Sequence, residues 1–210
     1  MRVQNVKSIA EYAEPQSPRW GAVDATEVEM VPAPLGLQPT EYIQVSWEER
    51  PYGLLEQASI RAVHDGAKIA FQLSWADAQP SSGAGESFPD GAALAFPVRG
   101  EPELMLMGSA EAPMQFVQWQ ASKKDARSVL AKGIGSTLPG EPVEETASGS
   151  WSGGLWSVVF TRSLAGTGES ANLVPGSTSQ IGIAVWNGSN EERAGIKAVS
   201  PDWTALSLDP

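Results

Sequence analysis

Twenty-one glycines and sixteen prolines are scattered along the 210 residues, and they cut the chain into short pieces. Average usage of the two together is roughly 12%, so the excess constrains the fold. Runs rich in β-branched and aromatic residues lie between these breakers, as in an antiparallel sandwich or barrel. The clearest hairpin is Ile60 to Trp75, where IRAVH and KIAFQLSW flank Asp65-Gly66, a pair suited to positive φ. A second joins a strand near Glu144–Ser150 to Leu155–Arg162 across Ser152-Gly153-Gly154. Further strands are expected at Glu27–Val31, Ala92–Val98, Glu103–Met107, Gln115–Gln120, Gln180–Trp186 and Trp203–Leu208. Helix signals are thin: two turns at Asp125–Lys132 and one at SIAEYAE near the start. The segment Ala78–Asp90 reads as a flexible loop, because it returns directly to a strong strand. The expectation is an all-β fold: an antiparallel β-sandwich with long loops and one or two short helices, residues 1–210 forming a single domain.

Composition removes most common chemistries. Cysteine is absent, which excludes disulfides, thiolate metal sites and covalent c-type haem. His64 is the one histidine, so a multi-histidine metal site cannot form. The formal net charge of −11 opposes binding to nucleic acid or to an anionic membrane surface. No stretch of eighteen or more apolar residues exists, and the first fifteen residues lack the apolar run of a secretory leader.

Several residues invite a chemical reading. Eight tryptophans outnumber five phenylalanines and three tyrosines. They suit core packing, an exposed platform for a sugar ring, or the wall of a flat cofactor pocket. His64 closes a strand before the Asp65-Gly66 turn and reads as a satisfied or solvent-facing imidazole. The carboxylates Asp24, Glu27 and Glu29, and Glu141, Glu144 and Glu145, read as solvated faces; no loop carries the spacing of a calcium site. Two stretches look unlike ordinary surface. Glu103–Ala121 holds Met105, Met107 and Met114, and Ala184–Trp203 places Lys197 between Ile196 and Ala198.

Taken together, these stretches resemble the haem-binding γ subunit of ethylbenzene dehydrogenase and the related small subunits of dimethyl sulfide dehydrogenase, selenate reductase and chlorate reductase. The resemblance covers most of the chain: Pro18-Arg19-Trp20, EVEMVPAPL at Glu27–Leu35, the hairpin ending in LSWAD, and FPDGAALAFPV. It continues through Met107-Gly108 followed by Pro113 to Trp119, and through AVWNGSNEERAGIKAVS. It implies a β-sandwich holding one haem b, with a methionine and a lysine as axial iron ligands. By position these are Met107 and Lys197, and Met105 and Met114 become controls. Met114-Gln115-Phe116 departs from the V-N-x-W that relatives tend to carry. The implied role is electron transfer without catalysis, because an iron with both axial positions filled has no site for substrate. The implied partners are a molybdenum-cofactor catalytic subunit, an iron–sulfur subunit and a soluble carrier such as a c-type cytochrome. The implied compartment is the periplasm, with this chain numbered in its mature form or exported with a partner.

Physical chemistry agrees with that ligand pair. A thioether on iron favours the ferrous state. A lysine ligates only as the neutral amine, so its pKa must fall below roughly 10.4, as desolvation and bonding to iron both demand. Two rival readings stay open: a carbohydrate-binding module with an aromatic platform, and a structural subunit that has lost its cofactor.

Overall fold

The structure is a computed structural model that describes residues 1–83 and 87–210. Fourteen strands follow in order: β1 (Arg2–Asn5), β2 (Thr26–Glu29), β3 (Val31–Pro32), β4 (Gln57–His64), β5 (Lys68–Ala76), β6 (Gly91–Pro97) and β7 (Met114–Gln120). The remainder are β8 (Arg127–Ala131), β9 (Thr137–Pro139), β10 (Thr146–Ser152), β11 (Leu155–Ser163), β12 (Thr178–Trp186), β13 (Ala198–Val199) and β14 (Thr204–Leu208). One α-helix, α1 (Glu41–Trp47), and short 3-10 turns complete the described elements.

The strands form two layers. The back layer runs β10-β11-β5-β4 with β2 beside β4, and the front layer runs β14-β12-β6-β7-β8-β9 with β13 beside β12. Pairing is antiparallel except at β1, which lies parallel to both β4 and β14 and stitches one layer to the other. Strand alternation fills the interior. Phe71, Leu73 and Trp75 of β5 and Trp156, Val158 and Phe160 of β11 meet Leu94 and Phe96 of β6, Val117 and Trp119 of β7, and Ile181 and Ile183 of β12. Trp119 crosses between the layers, its ring 5.1 Å from Trp156 and 6.4 Å from Trp75. A smaller cluster of Ile9, Trp20 and Val23 lies against Val63, Ala70 and Val159 on the outer side of the back layer.

Both expected hairpins form. Asp65 closes the first by accepting from the backbone amides of Lys68 at 2.9 Å and Ala67 at 3.2 Å. Gly153 and Gly154 close the second with φ of +60° and +86°, values that β-carbons resist. Two expectations fail. Asp125–Lys132 is not helical: Arg127–Ala131 pairs with β7 from Met114↔Ala131 to Gln118↔Arg127, because the open edge of β7 outweighs local propensity. Glu103–Met107 is not a strand. It curls into a turn in which the Met107 amide donates to Leu104 O at 3.0 Å and that of Gly108 to Glu103 O at 3.1 Å. The helix α1 had no counterpart in the sequence reading; its N-cap is Thr40, whose hydroxyl accepts from Ile43 N. Of the loop Ala78–Asp90, residues 84–86 lie outside the described residues, and its two flanks meet at the Ser82↔Pro89 bridge.

Candidate cofactor-binding site

The outer face of the front layer is paved with small residues. Alternation sends Ala92, Leu94 and Phe96 inward and leaves Gly91, Ala93 and Ala95 outward. On β12 the outward residues are Gly182, Ala184 and Trp186, and the register sets them opposite Ala95, Ala93 and Gly91 in turn. Phe116 and Gln118 of β7 continue the same rows. The small residues leave the middle of this face open, with the Trp186 ring at the Gly91 end and Phe116 alongside. A β-carbon at position 182 would lie 2.7 Å from Leu104 Cδ1, so enlargement there requires the Leu104 side chain to move aside.

Loops raise walls around this floor and enclose a cleft of about 500 Å³, within the usual size of cofactor sites. The turn after β6 contributes Leu104, Met105 and Met107, and the segment after β12 contributes Glu192, Arg193, Ala194, Gly195 and Lys197. Leu37 and Gln38 close one side, Phe88 and Pro89 another, and Ile134 a third. Met107 and Lys197, ninety positions apart in sequence, therefore face one cavity from loops at opposite ends of the front strands. Met105, the control that does not match the family's methionine position, lines the cleft too. Met114 is fully buried and does not line the cleft.

Backbone geometry fixes both loops. Met107 holds φ of +59° and its carbonyl accepts from Gly133 N at 3.0 Å. Ala194 holds φ of +51°, and its carbonyl receives Trp186 Nε1 at 3.0 Å and Lys197 Nζ at 3.2 Å. Non-glycine residues with positive φ are uncommon and concentrate where a site imposes them. Lys197 is 9% exposed and makes no ion pair among the described residues; its Nζ lies 5.3 Å from the Trp186 ring. Desolvation lowers its pKa to about 8, toward the neutral amine. Glu192, 3% exposed, accepts from Gly53 N, Asn187 N and Asn190 Nδ2, which ties the Lys197 loop to the rest of the wall. Gln38 donates to Gly195 O at 3.1 Å, while its own side-chain oxygen is buried without a donor. Glu192, Arg193, Gln38 and Arg127 also line the cleft; the first two fall in the AVWNGSNEERAGIKAVS segment but had no role assigned there, and Gln38 and Arg127 are isolated polar residues with no motif around them.

The other candidates fall elsewhere. His64 is fully buried, with Nδ1 accepting from Gly66 N and Nε2 donating to Asp209 O, a satisfied core imidazole. Glu144 pairs with Lys68, and Glu145 accepts from Ser128 N and Val143 N. The described residues contain no cluster of three carboxylate or histidine side chains. All eight tryptophans are buried or half-buried, so no exposed tryptophan platform forms; Trp186 alone lines the cleft.

Comparison with known proteins identifies the family. The gamma subunit of chlorate reductase from Ideonella dechloratans is 32% identical over 212 residues, spanning 98% of this chain and 84% of that subunit. The chain belongs to this gamma-subunit family. The family profile described as ethylbenzene dehydrogenase matches residues 134–198, which contain Lys197. Dimethylsulfide dehydrogenase subunit gamma from Rhodovulum sulfidophilum is 27% identical, covering 94% of this chain and 76% of its own length. A haem subunit assigned to a respiratory nitrate reductase of Haloferax mediterranei is 28% identical, covering 99% and 72%. Among solved structures, a family 9 carbohydrate-binding module from Caldicellulosiruptor kristjanssonii in complex with glucose superposes with a TM-score of 0.56 over the whole chain and 95% of the module. Its identity is 8%, so the likeness concerns the sandwich alone.

Proposed function

We propose that this gamma-family chain is a non-catalytic electron-transfer subunit whose 210 residues form a single domain around one haem b, with Met107 and Lys197 as axial ligands. The observation that carries the reading is that a thioether and a desolvated amine with no ion-pair partner among the described residues, remote in sequence, face one cleft. The donor set fits the group: both atoms ligate iron without bringing a charge, and an uncharged pair suits a buried site. When bound, a haem supplies one-electron redox chemistry. The chain's own residues hold it and orient it. Gly91, Ala93, Ala95 and Ala184 leave the floor of the cleft open for a cofactor held between Met107 and Lys197; Leu37 and Ile134 add apolar wall. Ala194 O and the Trp186 face hold the Lys197 amine in the cleft.

In this reading the chain passes electrons between the iron–sulfur subunit of a molybdenum enzyme complex and a soluble carrier such as a c-type cytochrome, in the periplasm. The names of the gamma relatives support membership in a multi-subunit complex, and that of the Haloferax relative supports haem. No helix in the described residues is long and apolar enough to cross a membrane.

The test is the haem spectrum of four alanine variants. Met107→Ala and Lys197→Ala each lose the six-coordinate low-spin spectrum. Met105→Ala retains it, and Met114→Ala retains it while destabilising the fold by about 2–5 kcal/mol through its buried cavity. A spectrum altered by Met105→Ala and not by Met107→Ala overturns the ligand assignment.

A further inference from the structure

Four charged side chains line the cleft: Arg127, Glu192, Arg193 and Lys197. Glu192 is occupied by three donors, and Lys197 sits deep against Trp186. The two arginines are different. Both are exposed, and in a chain with a net charge of −11 neither forms an ion pair among the described residues, although Arg193 is near enough to Glu191 to help lower its pKa. The six described ion pairs use Arg2, Arg19, Arg50, Lys68, Arg99 and Lys132. Arg127 is braced: Nε and one terminal nitrogen both donate to Gln118 Oε1, at 2.9 and 2.7 Å. The other terminal nitrogen makes no hydrogen bond among the described residues. The Arg193 guanidinium lies over the Phe88 ring, 4.3 Å from its centroid, and its N–H groups make no hydrogen bond among the described residues.

Both arginines stand at the same end of the front layer. Arg127 begins β8 opposite Gln118, and Arg193 follows β12 beside Phe88, just ahead of β6. We infer that Arg127 and Arg193 are the anion anchors of the cleft and hold the two carboxylates of a porphyrin dicarboxylate at its mouth. The inference rests on the haem reading above. Planar guanidinium groups suit this task, since each forms charge-assisted hydrogen bonds in the carboxylate plane.

The experiment titrates the full chain, stripped of cofactor, with haem and separately with haem dimethyl ester, whose carboxylates are masked. The wild type binds haem at least about tenfold more tightly than the ester, and added salt erodes that preference. Arg127→Gln and Arg193→Gln each weaken haem binding roughly tenfold and leave the ester within about twofold. Lys7→Gln, the same charge change on an exposed residue away from the cleft, leaves both affinities unchanged. Equal wild-type affinity for haem and ester, or equal losses for both in the arginine variants, overturns the inference and leaves the haem reading standing. If neither haem nor its dimethyl ester binds, both readings are overturned.

Discussion

Met107 sits at a φ of +59° in a turn where glycine would be at ease, and the strain is borne by hydrogen bonds to Leu104 and Gly133. A side chain held there points into the cleft and not along a strand. On the facing wall, Gly195 lies so close to the side-chain oxygen of Gln38 that an added methyl group overlaps it. Gly195→Ala therefore displaces Gln38 or the loop that carries Lys197. The expected result is a stability loss of about 1–3 kcal/mol in urea unfolding, with weakened haem binding in the same protein. The pairing of Met107 with Lys197 was legible only through resemblance. Taken singly, each reads as gap-filling methionine or surface lysine, because nothing in the local sequence announces a shared cavity ninety residues apart. His64 carried the opposite lesson: its neighbours in sequence do not reveal that Asp209, at the far end of the chain, satisfies it.

At the scale of elements, Asp90 locks together the parts that border the cleft. Its buried carboxylate accepts from Ser81 N at 2.6 Å, Gly188 N at 2.8 Å and Trp156 Nε1 at 3.0 Å. It thereby fixes the start of β6, the loop after β12 and the core tryptophan at once. Burial raises its pKa, against the three hydrogen bonds that oppose the rise. The folded chain thus holds this proton more tightly than the unfolded one. The contribution to stability falls as pH climbs from about 4 through the raised folded value, and is level above it. Asp90→Asn lowers stability at pH 7 by about 1–3 kcal/mol, since one acceptor becomes an unmatched donor. It also abolishes that pH dependence, so urea midpoints of wild type and variant draw apart as pH falls toward 4. The hairpins were readable because alternation and turn residues are local. Strand β8 was not, because Ser128-Val129-Leu130 is extended by the edge of β7 it pairs with. The open floor was invisible too: Gly91-Ala92-Ala93 becomes a surface only when Gly182 and Ala184 pair beside it.

For the whole molecule, the account predicts coupling between haem and fold. The cleft is walled by loops from both ends of the front layer, so a bound haem stabilises the folded state by mass action. At a free haem concentration a thousandfold above Kd the gain is about 4.1 kcal/mol. For a chain of this size that raises Tm by about 8 to 16 °C. Unchanged melting in saturating haem contradicts the cleft as the binding site. The acidic surface, at −11 overall, should speed encounter with a basic carrier protein, so reduction rates measured by stopped flow fall as ionic strength rises. The central claim is that one haem b binds with both axial positions filled. Its most direct test is the absorption spectrum of the full chain, oxidised and reduced, with a pyridine haemochrome assay of haem content. One non-covalent haem b per chain with a sharp low-spin spectrum in both states is the predicted result; no Soret band after reconstitution with haem contradicts it.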